Sequence, residues 1–170
     1  MKKRVILLAG AIILQRLLEL RLAERNRRRV LAQGAHEAGA GHYPLFFLLH
    51  TGWLLAWLTE AWPRRSPGWG WPLWLSLFAA AQGLRYWAII SLGSFWNTRI
   101  LVVPNAPRVR HGPYRWLRHP NYLAVAVELA AVPLIFGAWL TALTASLLNA
   151  ALLLGVRIPA EEAALKGRVA

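Results

Sequence analysis

The chain has 170 residues, of which 57% are hydrophobic and 16% are charged, whereas a typical soluble domain has roughly 45–50% apolar and 25% charged residues. A domain of this size leaves much of its surface exposed, so water is a poor solvent for so many apolar side chains. The formal charge of +13 would suit a nucleic-acid binder. However, the basic residues stand mainly between apolar runs, which favours membrane topology and anionic lipid over nucleic acid. The lack of cysteine excludes disulfides, thiolate metal ligands and cysteine nucleophiles.

Five apolar stretches predict an all-α integral membrane protein, because a membrane-crossing helix needs about 20 mostly apolar residues. The first stretch follows three basic residues as a signal peptide would, but no small-residue cleavage site comes after it, so a retained helix is predicted. The last two form a helical hairpin, and whether its short first arm crosses fully stays open. The predicted helices are Val5–Leu22, Pro44–Trp62, Trp71–Leu92, Tyr122–Phe136 and Ala138–Arg157.

The basic residues between these helices predict the orientation. One side of the membrane receives the segments Arg21–Tyr43 and Gly93–Asn121 and the tail from Arg157 onward, with 13 Lys and Arg, whereas the other side receives 5. The positive-inside rule therefore predicts a multi-pass protein of the cell membrane with the N-terminus outside and the C-terminus in the cytoplasm. We expect a single domain over 1–170, with three spans in 1–92 and the connection, hairpin and tail in 93–170.

Four of the ionisable residues within the apolar stretches stand out. Arg16 and Glu19 are three residues apart and can pair on one helix face. Arg85 and Glu128 would be costly in lipid, and a structural ion pair and a functional role are equally consistent with them. By contrast, the glycines between residues 34 and 41 lack the strand and helix of a nucleotide loop. The nearby His36, Glu37 and His42 match no strong metal-ligand spacing, so a solvated linker is predicted there.

A dense motif stands at the entrance of the fourth predicted helix. It reads Gly112-Pro113-Tyr114-Arg115-Trp116-Leu117-Arg118-His119-Pro120-Asn121-Tyr122. Such aromatic and arginine residues can simply anchor a chain among lipid headgroups. Two prolines also fix the backbone, which favours a pocket wall. A second motif, Arg157-Ile158-Pro159-Ala160-Glu161-Glu162, follows the hairpin and, taken alone, would be a polar cap.

Together the two motifs resemble the isoprenylcysteine carboxyl methyltransferase family of integral membrane enzymes. The likeness is greatest to its short bacterial branch, which resembles alkylpyrone O-methyltransferases. It extends upstream to Glu24-Arg25-Asn26, Gly34-Ala35-His36-Glu37, His42-Tyr43, His50 and Leu92–Ile100. The resemblance therefore covers most of the chain, and its C-terminal half is the more specific part.

The resemblance implies an S-adenosylmethionine pocket at the cytoplasmic face, built from the connection before the hairpin and the segment after it, and it implies no metal. Arg157 falls on the family's substrate-binding arginine and would position the substrate oxygen in the catalytic centre. Where eukaryotic relatives contact the cofactor with a glutamine, this chain offers Arg99 or Ile100. The residues implied to contact the cofactor are Val109, Tyr114, His119, Pro120, Asn121, Tyr122 and Glu161.

The expected activity is methyl transfer to a carboxylate or to an acidic enol or phenol oxygen of a lipophilic small molecule in the membrane. Aromatic faces can stabilise the sulfonium cation of the donor, and an arginine can position an anionic oxygen. One alternative is an NADPH-dependent sterol-type reductase, which has a similar histidine–proline motif. The other is a non-enzymatic lipid-binding or transport protein, which would place polar groups at mid-membrane. The methyl acceptor and the oligomeric state stay open.

Overall fold

The computed structural model describes residues 1–64 and 66–166. Their body is helical, which confirms the all-α expectation, and two short strands are added to it. The helices are α1 Lys2–Leu31, α2 Tyr43–Ala61, α3 Trp71–Leu92, α4 Pro120–Ile135, α5 Trp139–Leu152 and α6 Ile158–Lys166. The strands are β1 His36–Ala38 and β2 Ile100–Val102.

The predicted helices α2 to α4 match the structure to within two residues, but α1 continues nine residues beyond its predicted end at Leu22. The added turns carry their own support. Glu24 lies 2.9 Å from Arg28, one helical turn away. The Asn26 amide donates to the carbonyls of Gly93 and Trp96, which ties this end of α1 to the chain after α3.

The hairpin's second arm also continues further than predicted. A wider π-helical turn, Leu153–Arg157, joins α5 to α6, so the segment expected to be a polar tail is helical as far as Lys166. Pro159 directly follows this π-helical turn, and such a local widening accommodates a proline within a continuous helix. The predicted tail residues after Lys166 lie outside the described part of the chain.

The two strands form an antiparallel ladder in which His36 lies opposite Val102 and Ala38 opposite Ile100. This ladder joins the linker after α1 to the connection after α3, and α6 packs against both strands. Segments that are far apart in sequence thus meet at one end of the helical bundle.

An aromatic core fixes α2 against α4. The rings of Trp57 and Phe136 stack with centroids 5.6 Å apart. Proline at position 133 removes the N–H that would bond to the carbonyl of Leu129 within α4. The indole of Trp53 donates to that carbonyl at 3.0 Å, so the helix keeps its proline without an orphaned acceptor.

The outer surface of the bundle is apolar. Leucine and isoleucine side chains along α1, α3 and α5 point outward and are exposed, which is the reverse of a soluble domain and typical of contact with lipid. Trp71–Phe95 and Trp139–Lys166 are each long and apolar enough to cross a membrane, whereas the apolar helix Pro120–Ile135 is shorter.

Candidate functional site

A cleft of about 740 Å³ opens at the end of the bundle where the ladder lies, a volume within the usual range for small-molecule sites. Its walls come from the connection between α3 and α4 and from α6. Six of the seven residues implied for the cofactor line it: Val109, Tyr114, His119, Asn121, Tyr122 and Glu161. The seventh, Pro120, is fully buried at the start of α4 and shapes the wall from behind.

Local backbone features position this wall. Gly112 has φ +59°, a left-handed conformation in which a side chain is strained, and a Cβ there would overlap the Ser91 side chain of α3. The glycine thus lets the turn Gly112–Arg115 lie directly on α3. Pro120 then starts α4 with its fixed φ, so the residues on either side of it face the cleft.

The Tyr122 hydroxyl joins the two walls of the cleft. It donates a short hydrogen bond to the Glu161 carboxylate and accepts one from Arg157 Nε at 3.0 Å. Arg157 and Glu161, which are four residues apart in the sequence, are therefore connected through Tyr122 of α4. This three-residue chain joins α4 to the π-helical turn and α6.

The floor of the cleft combines an aromatic stack with buried polar atoms. The His119 ring stacks on Tyr122 with centroids 5.4 Å apart. His119 Nε2 lies 3.5 Å from Glu162 Oε1, but that contact lacks hydrogen-bond geometry. Within the described residues, His119 Nε2 and Asn121 Oδ1 are buried without a hydrogen-bond partner. Such atoms are costly unless a ligand or water satisfies them.

Charge around the cleft is uneven. Glu161 and Glu162 supply its acidic groups, whereas its basic lining residues are Arg108, Arg110, Arg115, Arg118 and Lys166. Burial, reinforced by the charge of Glu161, raises the pKa of Tyr114 above its usual range. The Tyr114 phenol therefore stays protonated and can donate a hydrogen bond into the cleft at physiological pH.

Arg157 lies next to the cleft and is not part of its lining. Its side chain is buried, its Nη2 donates to the Thr98 carbonyl at 2.8 Å, and its guanidinium stands 5.7 Å from the Phe46 ring centroid. The contributions of Thr98 and Phe46 were missed by sequence reasoning. Phe46 belongs to no motif, and Thr98 lies within Leu92–Ile100, a segment that carries the resemblance but to which no contact with Arg157 was assigned.

The two candidates for the missing glutamine are not among the residues that line the cleft. Arg99 forms an ion pair with Glu37 at 2.7 Å and stacks on the Tyr43 ring. Ile100 is buried in β2. Glu37, which is near His36 and His42 in the sequence, therefore forms an ion pair with Arg99. No cluster of three metal-ligating side chains occurs in the described ranges 1–64 and 66–166.

A second polar cluster lies between helices α1, α3 and α4. We call it the bundle network, and it consists of Arg16, Glu19, Arg85 and Glu128. Arg16 pairs with Glu19 at 2.7 Å, as the sequence predicted, and with Glu128 at 2.5 Å. Arg85 pairs with both carboxylates, and its side chain is 2% exposed. Two positive and two negative charges thus compensate one another. The network gives Arg85 and Glu128 the role of a structural ion pair.

Comparison with known proteins identifies relatives over nearly the whole chain. The model of the isoprenylcysteine carboxyl methyltransferase family matches residues 74–167. The uncharacterized protein YpbQ of Bacillus subtilis is 41% identical over 163 residues, covering 94% of this chain and 95% of that protein. An uncharacterized protein of Haemophilus influenzae is 28% identical over 158 residues, covering 92% of this chain and 91% of that protein. No solved structure matches this chain.

Proposed function

The chain belongs to the isoprenylcysteine carboxyl methyltransferase family, and we propose that it methylates an oxygen of a lipophilic, acidic substrate with S-adenosylmethionine. The family implies a membrane methyltransferase. Beyond this activity, we propose the cofactor, the kind of acceptor and the residues that bind them.

The observation that carries the proposal is the chemical fit between the cleft and the methyl donor. The donor's ammonium and ribose hydroxyls need acceptors, which Glu161 and the unpartnered Asn121 Oδ1 provide. Its carboxylate needs donors, and several arginines line the cleft. Its sulfonium needs an electron-rich neighbour without a nucleophile, which suits the aromatic faces of Tyr114 and Tyr122. When bound, S-adenosylmethionine supplies an activated methyl group to the acceptor oxygen.

The family resemblance makes Arg157, which lies beside the cleft, our candidate for positioning the acceptor. Tyr122 and Thr98 hold two of its nitrogens, so the guanidinium has a fixed place beneath the cleft. A planar fork of this kind binds a carboxylate or an enolate oxygen in a defined direction. Such an acceptor is already ionised near neutral pH, so no dedicated base is required. Approximation of the reacting atoms then supplies most of the rate enhancement.

The membrane setting supports a lipophilic acceptor. The apolar outer surface of the bundle reaches the end where the cleft lies, because Trp71–Phe95 and Trp139–Lys166 both run toward it. We propose that all five apolar segments cross or enter the membrane, and that the cleft faces the cytoplasm with the most basic segments. A substrate dissolved in lipid would then meet the cofactor at the membrane surface.

Comparison of lipid extracts from cells with and without the gene tests this function. We expect the gene to produce lipophilic species heavier by one methyl group, carrying deuterium when the cells receive methyl-deuterated methionine. An inactive Arg157→Ala protein, expressed at the same level, is the matched control and should not produce them. Identical extracts, or new species without the deuterated methyl group, would contradict the proposal.

A further inference from the structure

An exposed patch borders the cleft, which we call the rim patch: Trp87, Arg115, Trp116, Leu117 and Arg118. Trp116 is 68% exposed, and the adjoining Arg115, Leu117 and Arg118 are exposed as well. The side chain of Arg118 is 89% exposed and lies 3.9 Å from Glu162 at its closest ion pair. Both residues belong to the motif that supplies the cleft wall, yet the Trp116 ring is not part of that wall.

The rim patch is held in place rather than loosely suspended. The rings of Trp116 and Trp87 meet edge to face with centroids 5.8 Å apart, and the Arg115 guanidinium lies 5.7 Å from the Trp116 ring centroid. The Gly112 turn keeps this segment against α3. An exposed tryptophan with a fixed position is suited to bind something outside the protein.

The position of the patch indicates what it binds. Trp87 belongs to α3, and the neighbouring α3 residues Tyr86 and Ile90 are 46% and 77% exposed. The patch therefore continues the outward apolar face of a helix long enough to cross a membrane. Tryptophan and tyrosine at such an end occupy the headgroup layer of a bilayer.

The positive charge around the rim patch favours anionic headgroups. The connection 93–121 contains five arginines and no acidic residue. Beside the patch, Glu161 and Glu162 face the cleft from α6, so basic groups outnumber acidic ones at the rim. Arginine forks bind phosphate oxygens well, and basic residues next to a membrane attract anionic lipid.

We propose that the rim patch binds the headgroups of anionic phospholipids in the bilayer, and that this binding steadies the cleft wall and strengthens cofactor binding. The second part rests on the proposed function, whereas the lipid contact does not. Trp116 inserts among the headgroups, and Arg115 and Arg118 bind their phosphates. Arg115, Leu117 and Arg118 also line the cleft. Lipid contacts that restrain the patch therefore restrain the cleft wall as well.

The test uses the full chain in lipid nanodiscs, either of phosphatidylcholine alone or of phosphatidylcholine mixed with phosphatidylglycerol. We expect S-adenosylmethionine to bind roughly three- to tenfold more tightly in the anionic discs, since each basic group at a membrane surface contributes about 1 kcal/mol. Trp116→Ala should lose this gain. Trp69→Ala is the matched control, because Trp69 is 97% exposed in the loop before α3, away from the cleft, and it should keep the gain.

A second measurement does not depend on the cofactor. Phosphatidylglycerol retained by the detergent-purified protein is quantified by mass spectrometry, and Trp116→Ala should retain less than wild type or Trp69→Ala. Equal retention in all three proteins, or equal cofactor affinity in both kinds of disc, would overturn the lipid proposal while leaving the proposed function intact. A gain produced by inorganic phosphate in phosphatidylcholine discs would also overturn it, because the anion would then act from solution. Loss of cofactor binding in every disc, with retention still dependent on Trp116, would instead refute the proposed function.

Discussion

The bundle network and the cleft use similar residues in opposite ways. In the network, Arg16 and Arg85 face Glu19 and Glu128 inside the helices, and the positive and negative charges are equal. In the cleft, basic side chains outnumber the two glutamates, and His119 and Asn121 retain buried atoms that no described residue satisfies. The charges of the network balance without a ligand, although Arg85 Nε is also buried without a hydrogen-bond partner among the described residues. The charges of the cleft do not balance.

This difference shows how structural and functional charges can be separated in a membrane protein. Ionisable residues in a span indicate function only by default. Here the mid-bundle charges compensate one another and tie α1, α3 and α4 together. The charges suited to a ligand lie at the end of the bundle, where water, lipid and two chain segments meet.

The largest effect is expected from breaking the network. Glu128→Gln removes one of the two carboxylates that Arg16 and Arg85 share, and removing one partner of a buried ion pair typically costs about 3–5 kcal/mol. We expect a clear fall in the temperature of unfolding in detergent. Glu24→Gln is the control, because Glu24 is exposed in an otherwise similar pair and should change stability by no more than about 0.5 kcal/mol. Similar melting curves for both variants would show that the network does not stabilise the bundle.

A smaller, more specific effect is expected at Arg157, beside the cleft. Arg157→Lys keeps the charge but cannot hold both Tyr122 and Thr98 with a planar fork. Turnover should fall at least about tenfold, since small displacements of reacting atoms are costly, while S-adenosylmethionine affinity changes much less. Arg29→Lys, at an exposed arginine of α1, should leave both quantities unchanged. Near-normal turnover of Arg157→Lys would remove Arg157 from the catalytic centre.

The smallest effect is a dependence of stability on pH at Tyr114. Its pKa is raised by burial and by Glu161, so the folded protein holds the phenol proton more tightly than the unfolded chain, where tyrosine titrates near pH ~10. Its contribution to stability is complete below that pH and is lost as pH rises through the folded-state value. Tyr114→Phe should therefore lose less stability than wild type on going to alkaline pH, whereas Tyr86→Phe should behave as wild type. Parallel losses in wild type and Tyr114→Phe would contradict the burial of this phenol.

Hydropathy and the two motifs predicted much of this architecture. The bounds of α2, α3 and α4 follow from apolar length and from prolines, both of which act locally. The continuation of α1 to Leu31 was missed because it depends on Asn26 bonding to carbonyls after α3. The ladder was missed because three-residue strands leave no periodic pattern in the sequence.

In the candidate site too, local features could be predicted from the sequence and contacts between distant segments could not. The motif from Gly112 to Tyr122 is contiguous, so its residues could be named together, and seven of the eleven line one cleft with Glu161. The burial of Arg157 against Thr98 and Phe46 could not be inferred, because those contacts arise only when the connection, α2 and the π-helical turn meet. Pairing Arg16 with Glu128 likewise depends on how α1 and α4 pack.

The central claim is that the cleft holds S-adenosylmethionine through Glu161, and calorimetric titration of three proteins tests it most directly. Wild type should bind the cofactor, and Glu161→Gln should bind it one to two decades more weakly, because a lost charge-assisted hydrogen bond costs about 1.5–3 kcal/mol. Glu162→Gln, the adjacent and more exposed carboxylate, should lose far less. Equal losses at both positions, or no binding by the wild-type protein, would contradict the account.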